Sequence, residues 1–217
     1  MSQICVLLLA AFLALTASAQ PVFPEIATRA EALQALEHAD ARQRAAGVAY
    51  LGRTGLATDG PLLARRLADE SPYVRELAEQ NIWLVWARSG DAEADRLLVA
   101  GIEQMSAGRH KQAIDVFTRV IKRKPDFAEG WNKRATAYVL AGDYPKSLAD
   151  CDEVMKRNPQ HFGALAGYGQ IYFQLEQYDK SLEYFKRALA TNPNMGGVEV
   201  NIQGIEELVR EKRRRSI

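Results

Sequence analysis

Three histidines and one cysteine are the side chains best suited to chemistry in the body of this sequence. His38, His110 and His161 could each serve as a general base or metal ligand, and Cys151 as a nucleophile or redox thiol. None has the company such work requires. His110 stands 34 residues before Tyr144, which stands 34 before Tyr178. His161 is spaced in the same way from Phe127 and Met195. Positions filled elsewhere by aromatic or apolar residues are structural slots, and neither histidine has a carboxylate neighbour at metal-ligand spacing. His38 lies beside Asp40 at a predicted helix end, a surface position. Cys151 aligns with Phe117 and Phe185, so it is expected to be a buried, inert thiol. The glycines of the stretch 163–169 have no strand before them and read as helix-packing residues, not a phosphate cradle. G-x-S-x-G, HExxH and calcium-loop patterns are missing. The sequence therefore implies no catalytic residues, no metal and no cofactor.

The charge balance narrows the partners. The chain has 217 residues with 28 basic and 27 acidic side chains. That near-neutrality gives no electrostatic reason to expect nucleic acid or an anionic membrane surface as partner. Before Glu25 there is no charged side chain, and Ile4 to Leu15 is almost wholly apolar. Ala17-Ser18-Ala19 closes this run with small residues two apart, followed by Gln20-Pro21. This is the pattern of a signal peptide over 1–19 cut after Ala19, although no Lys or Arg precedes the run. The competing reading is an uncleaved anchor, for which Ile4 to Ala19 is short. Either reading places the folded part in the periplasm or outside the cell. Cleavage would leave Cys151 as the sole cysteine, with no intramolecular disulfide.

What must position the remaining residues is a repeat. Pro125, Pro159 and Pro193 are 34 residues apart, and so are Gly108 and Gly142. The same spacing relates Leu97, Trp131 and Leu165; Gly101, Ala135 and Gly169; Ala113, Ser147 and Ser181; and Tyr138 with Tyr172. Small residues at fixed positions allow two helices to approach closely, and the large residues fill the space around them. Each proline ends the second helix of a pair. The pattern resembles the tetratricopeptide repeat over 94–193, divided as 94–127, 128–161 and 162–195. That resemblance implies an all-α fold, an α-solenoid of antiparallel helix pairs. Beyond it, Val198, Ile202, Ile205 and Val209 form one apolar stripe, the mark of a capping helix within 196–217, followed by a basic tail.

Residues 25–93 follow a fainter period near 31, with Gln43-Arg44 matching Val74-Arg75, Leu36 matching Leu67 and Leu51 matching Ile82. The stretch from Leu67 to Arg75 resembles the corner of a HEAT-like repeat. Ser71-Pro72 is also a sound helix start, with a capping hydroxyl and proline at the first helical position. Helices are predicted near 26–38, 41–53, 60–69 and 72–88, stacked directly on the first tetratricopeptide pair.

In tetratricopeptide arrays the first helix of each pair lines a concave groove that receives a partner segment. Helical spacing assigns Leu98, Ile102 and Met105 to that face in the first repeat. In the second it assigns Asn132, Lys133, Thr136 and Val139, and in the third Gln170 and Phe173. One version of the family grips a C-terminal carboxylate with Lys, Asn and Arg. The matching positions here are Leu98, Ile102, Lys133, Gly163 and Gly167, and only one is cationic, so that activity does not carry over. The implied function is a non-enzymatic scaffold of the cell envelope that holds another protein. The alternative is an accessory chaperone or assembly subunit of an envelope enzyme.

Overall fold

The computed structural model describes residues 24–215, so the signal-like segment lies outside the described residues. Among them every regular element is helical. The first helix, α1 (Arg29–Leu36), starts later than periodicity suggests, because Thr28 caps it. The Thr28 hydroxyl accepts from the Glu31 amide at 3.2 Å, while the Glu31 carboxylate accepts from the amides of Ala27 and Thr28. Asp40 caps α2 (Ala41–Thr54) in the simpler way, through the Arg42 amide at 2.8 Å. The single helix predicted at 60–69 is instead a short α3 (Gly60–Ala64) that tightens into a 3-10 turn over Arg65–Ala68. Helix α4 (Pro72–Trp86) follows.

The 31-residue period has a geometric counterpart. Arg44 Nη1 donates to the carbonyls of His38 and Ala39, and Arg75 Nη1 donates to those of Asp69 and Glu70. Each arginine thus reaches back over the corner that precedes its own helix. Arg44 is also held bidentately by Asp69, at 2.8 Å through both nitrogens, with both side chains buried. Leu36, Val48, Leu51, Leu63, Leu67, Ile82 and Val85 form the apolar core of this N-terminal bundle.

Three helix pairs come next: α5 (Ala92–Ser106) with α6 (His110–Arg123), α7 (Ala128–Leu140) with α8 (Tyr144–Arg157), and α9 (Phe162–Gln174) with α10 (Tyr178–Thr191). The small-residue columns lie where paired helices approach one another. A methyl group added at Gly101 would lie 2.3 Å from the Phe117 ring, and one at Gly169 would lie 2.6 Å from Phe185. Ala113 and Ala135 are buried, and the Ser147 and Ser181 hydroxyls donate to the carbonyls of Ala135 and Gly169. Trp131 stays half-exposed, its indole N–H donating to the Pro125 carbonyl and its face covered by Arg134 and Arg157. Tyr138 likewise lies beside Arg134. The exposed Pro159 and Pro193 stand, like Pro125, in the inter-repeat loops.

The last helix, α11 (Gly196–Arg215), buries Val198, Ile202 and Ile205 against Leu165, Phe185 and Ala188. The basic segment continues this helix to Arg215, and Lys212 reaches Glu176 and the Tyr178 hydroxyl.

The N-terminal bundle does more than extend the stack. Ala57 and Ala87 pack on the first repeat's cluster of Leu98, Phe117 and Phe127. However, α4 also crosses to the third repeat, where Phe162 joins the bundle's own core. Asn192 Nδ2 donates to Glu79 at 2.8 Å, and Asn194 Nδ2 donates to the Leu67 carbonyl at 2.9 Å. The N-terminal bundle thus touches the third repeat as well as the first pair.

Candidate functional site

The inner face formed by α5, α7 and α9 divides into a closed part and an open part. The closed part is centred on Glu129, at the start of α7. Its carboxylate is buried and accepts from His161 Nε2 at 3.0 Å, from Asn132 Nδ2 at 3.1 Å and from Lys133 Nζ at 2.9 Å. His161 caps α9 with Nδ1, which accepts from the Ala164 amide, so the ring proton sits on Nε2 and points at Glu129. Burial alone would raise the Glu129 pKa. The hydrogen bond from His161 and the charge of Lys133 outweigh it and hold the carboxyl down to about 2.

Two tryptophans of α4 cover this network. The Trp86 ring stacks on His161, and Trp83 meets Phe162 edge-on at 4.9 Å. Trp83 also occupies the space that a side chain at Gly163 would need, since an added methyl would lie 2.5 Å from its ring. Gly163, matched from sequence to a carboxylate-gripping position, therefore faces the chain's own tryptophan.

The open part is a slot of about 190 Å³ between α7 and α9. Asn132, Thr136, Val139 and Gln170, each assigned to the groove from sequence, line it together. Gly163, Gly167 and Ala164 form the α9 wall, and Cys151 and Ile171 contribute from beneath. Phe173 is exposed one turn beyond Gln170 and meets Tyr178 edge-on.

The other assigned residues are placed differently. Leu98 is 1% exposed and belongs to the core shared with Ala57 and Ala87, so it has no surface to offer. Ile102 and Met105 are half-buried against that same cluster. Asn132 is buried because it turns toward Glu129, and Lys133 is neutralised by the same carboxylate.

The histidines diverge as well. His38 is exposed, its Nδ1 accepting from the Asp40 amide. His110 opens α6 and is half-buried. His161 does have a carboxylate partner, 32 residues away, which its local sequence does not announce. The only hint is that 32 is close to the repeat length, so the two side chains belong to neighbouring inter-repeat junctions. Cys151 is buried, and its thiol is pushed up to about 12, first by burial and then by the charges of Asp150 and Asp152.

Comparison with known proteins agrees with this architecture. Residues 98–160 and 165–195 match models of the tetratricopeptide repeat. A TPR repeat-containing protein of Rhizobium etli is 35% identical over 132 residues, covering 61% of this chain and 65% of that protein. Hsp70-Hsp90 organizing protein 1 of Glycine max is 29% identical over 101 residues, 46% of this chain but only 18% of that protein. The chain thus spans less than two thirds of either relative. Among solved structures, the Sgt2 TPR domain of Aspergillus fumigatus superposes with a TM-score of 0.54 at 21% identity, over 57% of this chain and 83% of that one. The first TPR of Spaghetti (RPAP3), bound to the HSP90 peptide SRMEEVD, gives 0.53 at 21% identity, over 55% and 96%. The repeat region of this chain belongs to the tetratricopeptide repeat family.

Proposed function

We propose that the chain is a non-enzymatic scaffold that holds a segment of another protein along the open part of its inner face. The observation that carries this reading is the slot between α7 and α9. Four residues assigned to a partner-binding face from sequence converge on it, and no part of the described chain fills it. The relatives add that domains of this fold take up peptides, as the Spaghetti domain does with SRMEEVD. An acidic C-terminal peptide of that kind is the wrong ligand here. Leu98 is buried, Gly163 is covered by Trp83, and Lys133 is already paired. The envelope address rests on residues 1–19 and is part of the proposal; N-terminal sequencing of the purified protein tests it, and a chain starting at Met1 overturns cleavage.

The groove reading is tested by placing a photo-crosslinking residue at Thr136 or Gln170 and, as control, at exposed Lys122 on α6. Crosslinks to one discrete partner from the two groove positions and none from the control are expected. Equal labelling from all three sites would defeat the reading. SRMEEVD should show no saturable binding.

A further inference from the structure

We infer that the slot between α7 and α9 is a receptor for a single uncharged aliphatic side chain, presented by an extended segment of the partner. This rests on the groove reading above and specifies the chemistry of what binds there.

On its α9 side the slot is lined by Gly163 and Gly167, one helical turn apart. A methyl added at Gly167 would meet nothing closer than Cys151 Sγ at 3.9 Å, so the cavity is real space and not a tight helix crossing. At Gly163 the space that a side chain would need is taken by Trp83. The room left, about 190 Å³, suits one branched aliphatic group rather than a run of side chains. The walls are Val139, Leu140, Ala164 and Ile171, and most of the exposed lining is apolar.

Charge complementarity decides the class of occupant. A quarter of the chain's residues are charged, yet none of those lining the slot is. The charges that flank the lining residues are answered within the fold: Glu129 pairs with Lys133 at 2.9 Å, Arg134 with Asp150 at 2.8 Å, and Asp152 accepts from the Tyr168 hydroxyl. An ionised side chain entering the slot would lose water and find no counter-charge, whereas an aliphatic one gains its burial energy in full. Thr136 and Gln170 are exposed at the rim, where they can hydrogen-bond the backbone on either side of the anchor.

The test uses the full chain labelled at methyl groups and titrated with N-acetyl-leucine methylamide or its aspartyl analogue. Saturable shifts are expected at Ile171, Val139 and Leu140 with the leucyl probe, with Val74 and Ile82 of the N-terminal bundle unmoved. The aspartyl probe should bind about tenfold more weakly or not at all. Gly167→Leu fills the slot with the chain's own side chain and should weaken the leucyl probe by about tenfold or more. Equal response to the two probes, a measurement that needs no variant, overturns the inference, as does leucyl binding unchanged in Gly167→Leu. Crosslinking at Gln170 that survives Gly167→Leu intact would remove the slot while leaving the groove reading standing. Probe binding without any partner crosslink would do the reverse.

Discussion

The indole of Trp86 lies on the imidazole of His161, with ring centroids 4.3 Å apart and planes 17° from parallel. Trp86 comes from the N-terminal bundle and His161 from the junction of the second and third tetratricopeptide repeats, so the stack ties together two parts with unrelated periods. Trp86 is 3% exposed and touches Phe162 as well. Trp86→Ala is therefore expected to cost about 3–5 kcal/mol, the usual range for truncating a buried aromatic. It should also separate the unfolding of the N-terminal bundle from that of the repeats, giving two transitions where the parent protein is expected to show one. Urea denaturation followed by circular dichroism checks both points. A cost under about 1 kcal/mol would mean the bundle merely leans on the repeats.

Gly163 and Gly167 of α9 should respond oppositely to one added carbon. Gly163→Ala drives its methyl to 2.5 Å from the Trp83 ring, whereas Gly167→Ala finds its nearest neighbour at 3.9 Å. Replacing glycine by alanine inside a helix favours the helix by about 1 kcal/mol, which Gly167→Ala should gain nearly in full. At Gly163 the overlap costs about 1–3 kcal/mol and outweighs that gain. Thermal melts of the two variants should bracket the parent protein; equal shifts in the same direction would show that Trp83 does not hold its place.

Much of this was legible because repeats repeat their contacts. The pairing of Gly101 with Phe117 and of Gly169 with Phe185 spans 16 residues in each case, and one instance predicts the other. The same holds for Ser147 and Ser181, whose hydroxyls reach carbonyls 12 residues back. The bonds from Asn192 to Glu79 and from Asn194 to Leu67 span 113 and 127 residues and join segments of different period, so no column could reveal them. The burial of Leu98 has a different source, the cluster of Phe117, Phe127 and Ala137 on which Ala57 and Ala87 pack. Helical phase assigns it to a face, but phase says nothing about what packs on that face. Gly163 carries a trace of such packing, since a glycine there leaves room that Trp83 fills.

Acid should weaken the fold through Glu129. Its carboxyl titrates near 4.5 when unconstrained and is held down to about 2 in the folded chain. The unfolded state thus binds the proton first, so this group's contribution is complete above about pH 4.5 and is lost as the pH falls toward 2. Asp91, capping α5 and paired with Arg123, is lowered to about 2 and acts in the same direction. Glu129→Gln leaves the Asp91 contribution in place and removes the other. The urea midpoint of the variant should be lower than that of the parent at pH 7 and should decline less steeply below pH 4.5. Parallel curves for the two proteins would eliminate Glu129 as a source of the acid sensitivity.

Cys151 offers a measure of how tightly the second and third repeats stay together. Its thiol is 2% exposed and lies under the slot, with its pKa pushed up to about 12. At pH 8 only about one thiol in ten thousand would be ionised even if a reagent could reach it, and the thiolate is the reacting form. Labelling of Cys151 in the native protein should therefore proceed only through opening of α8 from α9, and it should accelerate by orders of magnitude in urea. Peptide mapping after a pulse of a thiol reagent gives the rate at this residue alone. Fast labelling under native conditions would mean that the floor of the slot is permeable, and the apolar receptor inferred for it would lose its enclosure.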